Sequence, residues 1–585
     1  MIFFSLADCY FKCYNFCMKT LLKNGCILNV FTETVEKADV LICNDKIIGI
    51  GSYSDNEAEK ILDVSEKIIT PGLIDGHIHI ESTMLLPYEL ANTVLPHGTV
   101  RIIADPHEIA NVCGTAGIEF IRSASKNLPL HINLMIPSCV PSNPFDESGA
   151  ELQAEQISAF YGKNEVLGLA EMMDYPGVIN SSEQVFEKIN SALSHNLVID
   201  GHAPLLTGKK LDAYISAGIN SDHECSVLEE AVEKLKKGLW IMIREGTAAR
   251  NLDALLPLFE KPYCNRCCLV TDDRHPADLI SAGHIDAIIR KAIDAGKNPV
   301  TAFKMATFNT AQCFNIHFAG AVAPGYKADL LVLNSLEKVD INDVFTDGKI
   351  VVKDKKVLPF SSPEIPQNLK SAVKNSVHLA QLTENDFFID SGTQNNRTCR
   401  VIDVIKGQLI TKELHINLDF SKNNGIDCEK DILKLAVIER HKNTGHKGIG
   451  FIHGLGIKKG AIASTVSHDS HNLIVLGTND KDMAFAANEI IKDGGGCIFV
   501  ADGKVLAKMP LPVAGLMSEI KAPEIARQNK LLRQALHDSG VPLEIEPFLN
   551  LAFVSLPVIP DIKMTTLGLI DVNAQKLLPL FTELA

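Results

Sequence analysis

No stretch of this chain is apolar for long enough to cross a membrane, no block concentrates lysine and arginine, and no cysteine framework repeats. Each absence excludes a class. The stretch from Met1 to Cys17 is rich in Phe, Tyr and Cys, but Asp8 and Lys12 interrupt it well short of the roughly 20 residues a spanning helix needs. It reads as neither anchor nor signal peptide, so no membrane partner is expected. Nucleic acid is an unfavoured partner too, because 71 acidic residues outnumber 56 basic ones, the formal charge is -15, and nothing tracks a phosphate backbone. The 15 cysteines are odd in number and scattered over a long chain, which fits reduced thiols in a cytoplasmic protein. Cys264, Cys267 and Cys268 contain one CxxC spacing without a second pair or a neighbouring histidine, so no zinc ribbon is expected there.

What is present is enough apolar residue, 46% of 585, for more than one core, so two or three domains are expected. Residues 1–19 read as an N-terminal extension outside the fold, with a cleaner pattern starting at Met18. Residues 20–70 hold short alternating runs (CILNV, ADVLICNDKIIGIG, EKIIT) divided by Asn, Asp and Gly turn signals. Strand character returns at 321–334 and in VFTDGKIVVKDKKVL, where Asp347-Gly348 is a hairpin turn signal. Segments 20–70 and 320–365 are therefore expected to form one small β-sandwich domain.

Between them, residues 71–319 alternate apolar runs with helical stretches, as an α/β chain of parallel strands and crossover helices does. Eight runs are expected as strands, at 73–79, 100–105, 132–138, 165–171, 197–202, 217–223, 239–245 and 268–273. That number over about 250 residues predicts a (β/α)8 TIM-like barrel, whose strand carboxyl ends line the site. Residues 366–585 are expected to form a C-terminal α+β domain, with a helix at DILKLAVIER (431–440).

The strongest local motif is PGLIDGHIH (71–79). Alternate residues of a strand point the same way, so His77 and His79 would project two imidazoles into one mouth and chelate a divalent metal. A lone HxH is weak. Ligand-type residues also end four other expected strands: Glu171 on the fourth, His202 on the fifth, His223 on the sixth and Asp272 on the eighth. Singly, each has a structural explanation, as a salt-bridged Glu, a backbone-satisfied His or a helix-capping Asp. Together they would crowd the end of the barrel where active sites sit.

This pattern is similar to the amidohydrolase superfamily, in which HxH, a bridging ligand, two later histidines and a final Asp hold one or two metals. Many members bridge with a carbamylated lysine, whereas this chain places Glu171 in GLAEMMDYPGVI, which resembles the adenine deaminase family. HIHIES (77–82), LPHGTVRIIADPHEIANV (95–112), DGHAPLLTGKKLDAYISAGINSDHE (200–224), LVTDDRHPADLISAGHIDAIIRKAI (269–293) and PLPVAGLMS (510–518) carry the same resemblance. It implies hydrolysis of adenine to hypoxanthine and ammonia in purine salvage. It also implies two divalent ions, with His77, His79 and Asp272 on the first, His202 and His223 on the second, and Glu171 as bridge. Mn(II) or Fe(II) is expected ahead of Zn(II), although imidazole and carboxylate suit all three. Such a pair would acidify water for attack at C6, with Asp272 moving the proton to the leaving amine. A purine base is the expected partner, and the chain is expected to be a homo-oligomer, with a dimer the simplest form.

Purine recognition has fewer signals. His107 and Glu108 close the second expected strand, where a carboxylate can bond or protonate a ring nitrogen, or simply start a helix. His468, Asp469 and His471, in SHDSHN, either fold over the barrel mouth or form a surface turn. Met172 and Met173 read as wall packing. Two rival readings are a cyclic-amide hydrolase of the hydantoinase or dihydroorotase type, against which Glu171 argues, and a catalytically inactive structural relative, against which the six filled ligand positions argue.

Overall fold

The structure, a computed structural model, describes residues 18–247, 249–406 and 408–582. Residues 1–17 of the expected extension lie outside them, and Lys19 already belongs to a strand, Lys19–Lys23.

All eight expected barrel strands form: β1 (Leu73–Ile78), β2 (Thr99–Ala104), β3 (His131–Ile136), β4 (Val166–Met172), β5 (Val198–Gly201), β6 (Ser221–Asp222), β7 (Trp240–Arg244) and β8 (Cys267–Val270). β1 to β5 pair in parallel, as do β6 to β8. Two backbone bonds close the ring: Asn220 N–H donates to Ile199 O, and Asp272 N–H to His77 O, both at 2.9 Å. The result is a TIM-like barrel. Its strands are near-continuous apolar runs because helices cover them outside, while Ile103, Met135, Ala170, Val198, Met242 and Cys268 pack together inside.

The sixth strand is shorter than the expected 217–223. Gly218, at φ +101°, turns the chain just before it, and β6 then runs so close to β5 that a Cβ on Gly201 would lie 2.1 Å from Ser221 O. Two further expectations need correction. The run 321–334 supplies a strand only from Leu330 to Ser335. DILKLAVIER is not helical: Ile432–Ile438 is a strand, buried at every position and paired on both sides within an eight-stranded sheet. A short apolar run buried on both faces has the same pattern in strand and helix, so its neighbours decide.

The segments flanking the barrel do join. Ile68–Pro71 pairs antiparallel with Leu330–Ser335, and Leu22, Ile27, Val40, Leu330 and Phe345 share a core. Asp347 and Gly348, at φ 47° and 72°, make the expected hairpin turn. Eleven cysteines among the described residues are free, including Cys264, Cys267 and Cys268. Among the described residues no helix is long and apolar enough to cross a membrane.

Candidate active site

The carboxyl ends of the barrel strands bring the six expected ligands together. The His77 Nδ1–H faces Asp200 Oδ2 at 3.1 Å, and the His79 Nδ1–H faces the carbonyl of Asp105 at 3.0 Å. Both acceptors require the proton on Nδ1, which leaves lone pairs on the two Nε2 atoms. Those atoms lie 3.2 Å apart.

Glu171, on β4, divides its carboxylate between two histidine pairs. Oε1 lies 3.7 Å from His77 Nε2 and 3.4 Å from His79 Nε2, while Oε2 lies 2.6 Å from His202 Nδ1 and 3.3 Å from His223 Nε2. Asp272, just beyond β8 with φ 56°, turns Oδ1 to within 3.1 Å of His79 Nε2 and takes an Arg244 N–H on Oδ2 at 2.6 Å. One set of donor atoms is His77, His79 and Asp272; another is Glu171, His202 and His223; within each set the atoms lie within 4.8 Å of one another. All six residues are buried except His202, which is partly so.

Electrostatics follow from this crowding. Burial alone would raise the Asp272 carboxyl, but the Arg244 guanidinium and His79 outweigh it and hold it well below the usual carboxylate range. Burial opposes ionisation of Glu171 as well, and His202 and His223 overcome it.

A second cluster adjoins the first. His107 and Glu108 open the helix His107–Ala124, so the helix-start description is correct for their position. The His107 Nδ1 lies 2.9 Å from Asp105 Oδ2 and 3.5 Å from Glu171 Oε1. Glu108 accepts from His468 Nδ1 at 2.5 Å and from His471 Nε2. The tautomer of His471 is fixed by the backbone: Ser467 N–H donates to its Nδ1 at 3.1 Å, so Nε2 carries the proton given to Glu108. SHDSHN is thus not a surface turn, since His468, Asp469 and His471 are all buried and His468 stacks on Phe553. Burial would raise the Glu108 carboxyl, but His468, His471 and His107 hold it well below its ordinary value. Glu108 in turn outweighs burial at His468 and lifts it to about 9, while burial pushes Asp469 up to about 6.

Beside these clusters lies a cavity of about 190 Å³ lined in part by Glu81, Ser82, His275, His468 and Phe548. A larger one of about 570 Å³ lies next to it, sharing Arg533 and Glu546, and none of the six ligand candidates lines either.

Sequence reasoning missed the residues that hold the ligands. Asp200 orients His77, and Arg244 joins Asp272 to Glu224, its Nη2 donating to Glu224 Oε2 at 3.0 Å. A signal existed for both: each is a charge ending a buried apolar strand, and Asp200 sits two positions before His202, on the same side of its strand. Met172 and Met173 are buried, as wall packing requires.

The Amidohydrolase family matches residues 68–351, and the adenine deaminase C-terminal domain matches residues 408–576. Similar proteins include adenine deaminase 2 of Carboxydothermus hydrogenoformans, 45% identical over 96% of each chain. The adenine deaminase of Clostridium acetobutylicum is 44% identical over 94% of this chain and 96% of its own, and that of Thermosipho africanus 44% over 96% and 97%. The barrel alone would be shared by many hydrolases, but the downstream match and the near full-length relatives are not, and this chain belongs to the adenine deaminase family of the amidohydrolase superfamily.

Proposed function

We propose that the protein hydrolyses adenine to hypoxanthine and ammonia at the barrel mouth, in purine salvage. The observation that carries this is Glu171, whose two oxygens face two different histidine pairs. The family implies a divalent metal, and the donor set fits one. The Nε2 atoms of His77 and His79, 3.2 Å apart, have Glu171 and Asp272 carboxylate oxygens within 3.1 to 3.9 Å, a compact nitrogen and oxygen donor set that suits a divalent cation. His77, His79 and Asp272 would hold one ion, His202 and His223 a second, with Glu171 shared. Our assignment is Mn(II) or Fe(II) ahead of Zn(II). When bound, the metal supplies Lewis acidity and makes water reactive near neutral pH.

The chain's own residues move the protons. Arg244 engages Asp272 Oδ2 and leaves Oδ1 facing the site, so Oδ1 takes the proton of the attacking water and passes it to the exocyclic amine. The C6–N6 bond then breaks, ammonia leaves, and C6 keeps the oxygen. Glu108 already accepts from two imidazoles, so its role in this reading is to position His468 and His471 against the base; His107 and Asp469 complete that wall.

The reading includes a small-molecule purine partner, a homodimer and a cytoplasmic location. We divide the chain into a barrel at 71–319, a β-sandwich domain from 20–70 and 320–365, and an α+β domain from 366. Its test is ammonia release from adenine and adenosine, and ring opening of dihydroorotate, with added Mn(II) or Fe(II). Ammonia from adenine without ring opening of dihydroorotate supports the proposal; ring opening of dihydroorotate, or no ammonia from adenine, overturns it.

A further inference from the structure

Glu81 leaves β1 in the short turn Glu81–Thr83, two positions after His79. It is 3% exposed. Its Oε1 accepts the Ile109 N–H at 3.0 Å, whereas Oε2 has no hydrogen-bond partner among the described residues. Buried acceptors are costly to leave unpaired, and native chains rarely do so without a ligand to meet them.

The same residue lines the cavity of about 190 Å³ that His468 and His275 also line. That volume is below the roughly 300 Å³ at which drug-sized sites begin, so it suits one small molecule. Met84, Val466 and Phe548 supply apolar wall for its faces. Neighbouring polar groups are already engaged: the Ser82 hydroxyl donates to Asp273 at 2.5 Å, and His468 Nδ1 bonds Glu108. Of the residues lining this cavity, Glu81 carries the buried side-chain atom, Oε2, that has no partner among the described residues.

A free purine base differs from its nucleoside on the imidazole ring. The base carries an N–H there; a 9-substituted purine carries none. We propose that Glu81 is a specificity-determining residue that accepts this imidazole N–H through Oε2, selecting free adenine over 9-substituted purines. The inference rests on the site's being an adenine deaminase site.

Glu81→Gln tests it sharply. Glutamine keeps an oxygen for the Ile109 N–H and turns the free position from acceptor to donor, opposing the base N–H. The variant should lose about tenfold to a hundredfold in kcat/KM for adenine, mostly through KM, with bound metal unchanged. The ratio of adenine to 9-methyladenine turnover should collapse toward that of a site blind to the substituent. An unchanged adenine KM and an unchanged ratio would overturn the proposal. A second measurement needs no variant: in the wild-type holoenzyme, purine should inhibit competitively at least about tenfold better than 9-methylpurine, and equal inhibition would overturn it. Failure of the wild type to deaminate adenine sinks the functional reading, whereas equal turnover of adenine and 9-methyladenine sinks the Glu81 assignment alone.

Discussion

Arg440 and the barrel-mouth histidines His77, His79 and His223 are all buried, yet their polar atoms meet opposite fates. Arg440 gives its guanidinium donors to the carbonyls of His471, Ser376 and Ala514 and to the Ser376 hydroxyl. Its acceptors are uncharged, so burial draws it down to about 10 and it still serves as a cationic clasp. At the mouth, by contrast, two histidine Nε2 atoms face each other, and His223 Nδ1, Asp105 Oδ1 and Asp469 Oδ2 have no partner among the described residues. A buried polar group that serves the fold is satisfied by the chain itself. One that serves a ligand is left open toward it.

The comparison can be broken by exchanging the consequences of mutation. His77→Ala should abolish metal binding and lower adenine turnover by about three orders of magnitude or more, while thermal unfolding of the metal-free protein changes little. An active or unfolded variant, seen by ammonia assay and circular dichroism, would reverse the roles. Arg440→Met should do the converse: it strands several buried carbonyls and should cost about 3 kcal/mol of stability, read as a lowered denaturation midpoint. The centre that survives folding should still bind metal.

Asp200→Asn sharpens the contrast at lower amplitude. It leaves the six ligands in place but loosens the grip on His77 Nδ1, so metal affinity should fall about 10- to 100-fold with little change in Tm. A titration of metal against the variant that matched the wild type would refute the positioning role.

The smallest effect concerns pH. Glu108 lifts His468 to about 9, above the roughly 6.5 of an unfolded histidine. Docking of the 467–472 segment therefore contributes stability that is whole below about pH 6.5 and is lost as pH rises through 9. The unfolding free energy of the wild type should fall across that window by on the order of 1 kcal/mol, and Glu108→Gln should flatten the slope. Parallel profiles for the two proteins would remove Glu108 as the cause.

The barrel was legible because parallel strands covered by helices are apolar on both faces and stand out as short runs between longer amphipathic ones. All eight form, and the six candidate ligands stand out because they sit at the ends of those runs. Ile432–Ile438 was misread for a related reason: its run is as apolar as a buried helix, and its pairing partners, Lys447–His453 and Leu473–Gly477, lie outside any local window. SHDSHN could not be placed from local pattern either. Its depth depends on Glu108, 360 residues away from His468 in the chain.

Residue types and their spacing along single strands determined, without further help, that two imidazoles would share a mouth; that Glu171 stands where many relatives carry a lysine came from the family resemblance. Local periodicity acts over a few residues, so it reaches that far and stops. Only the tertiary structure decided which oxygen of Glu171 faces which histidine, which tautomers Asp200 and the Asp105 carbonyl impose, and that a distant segment closes over Glu108. Those outcomes are set by contacts between elements hundreds of residues apart, where hydrogen-bond geometry inside a dry interior, rather than pattern, makes the choice.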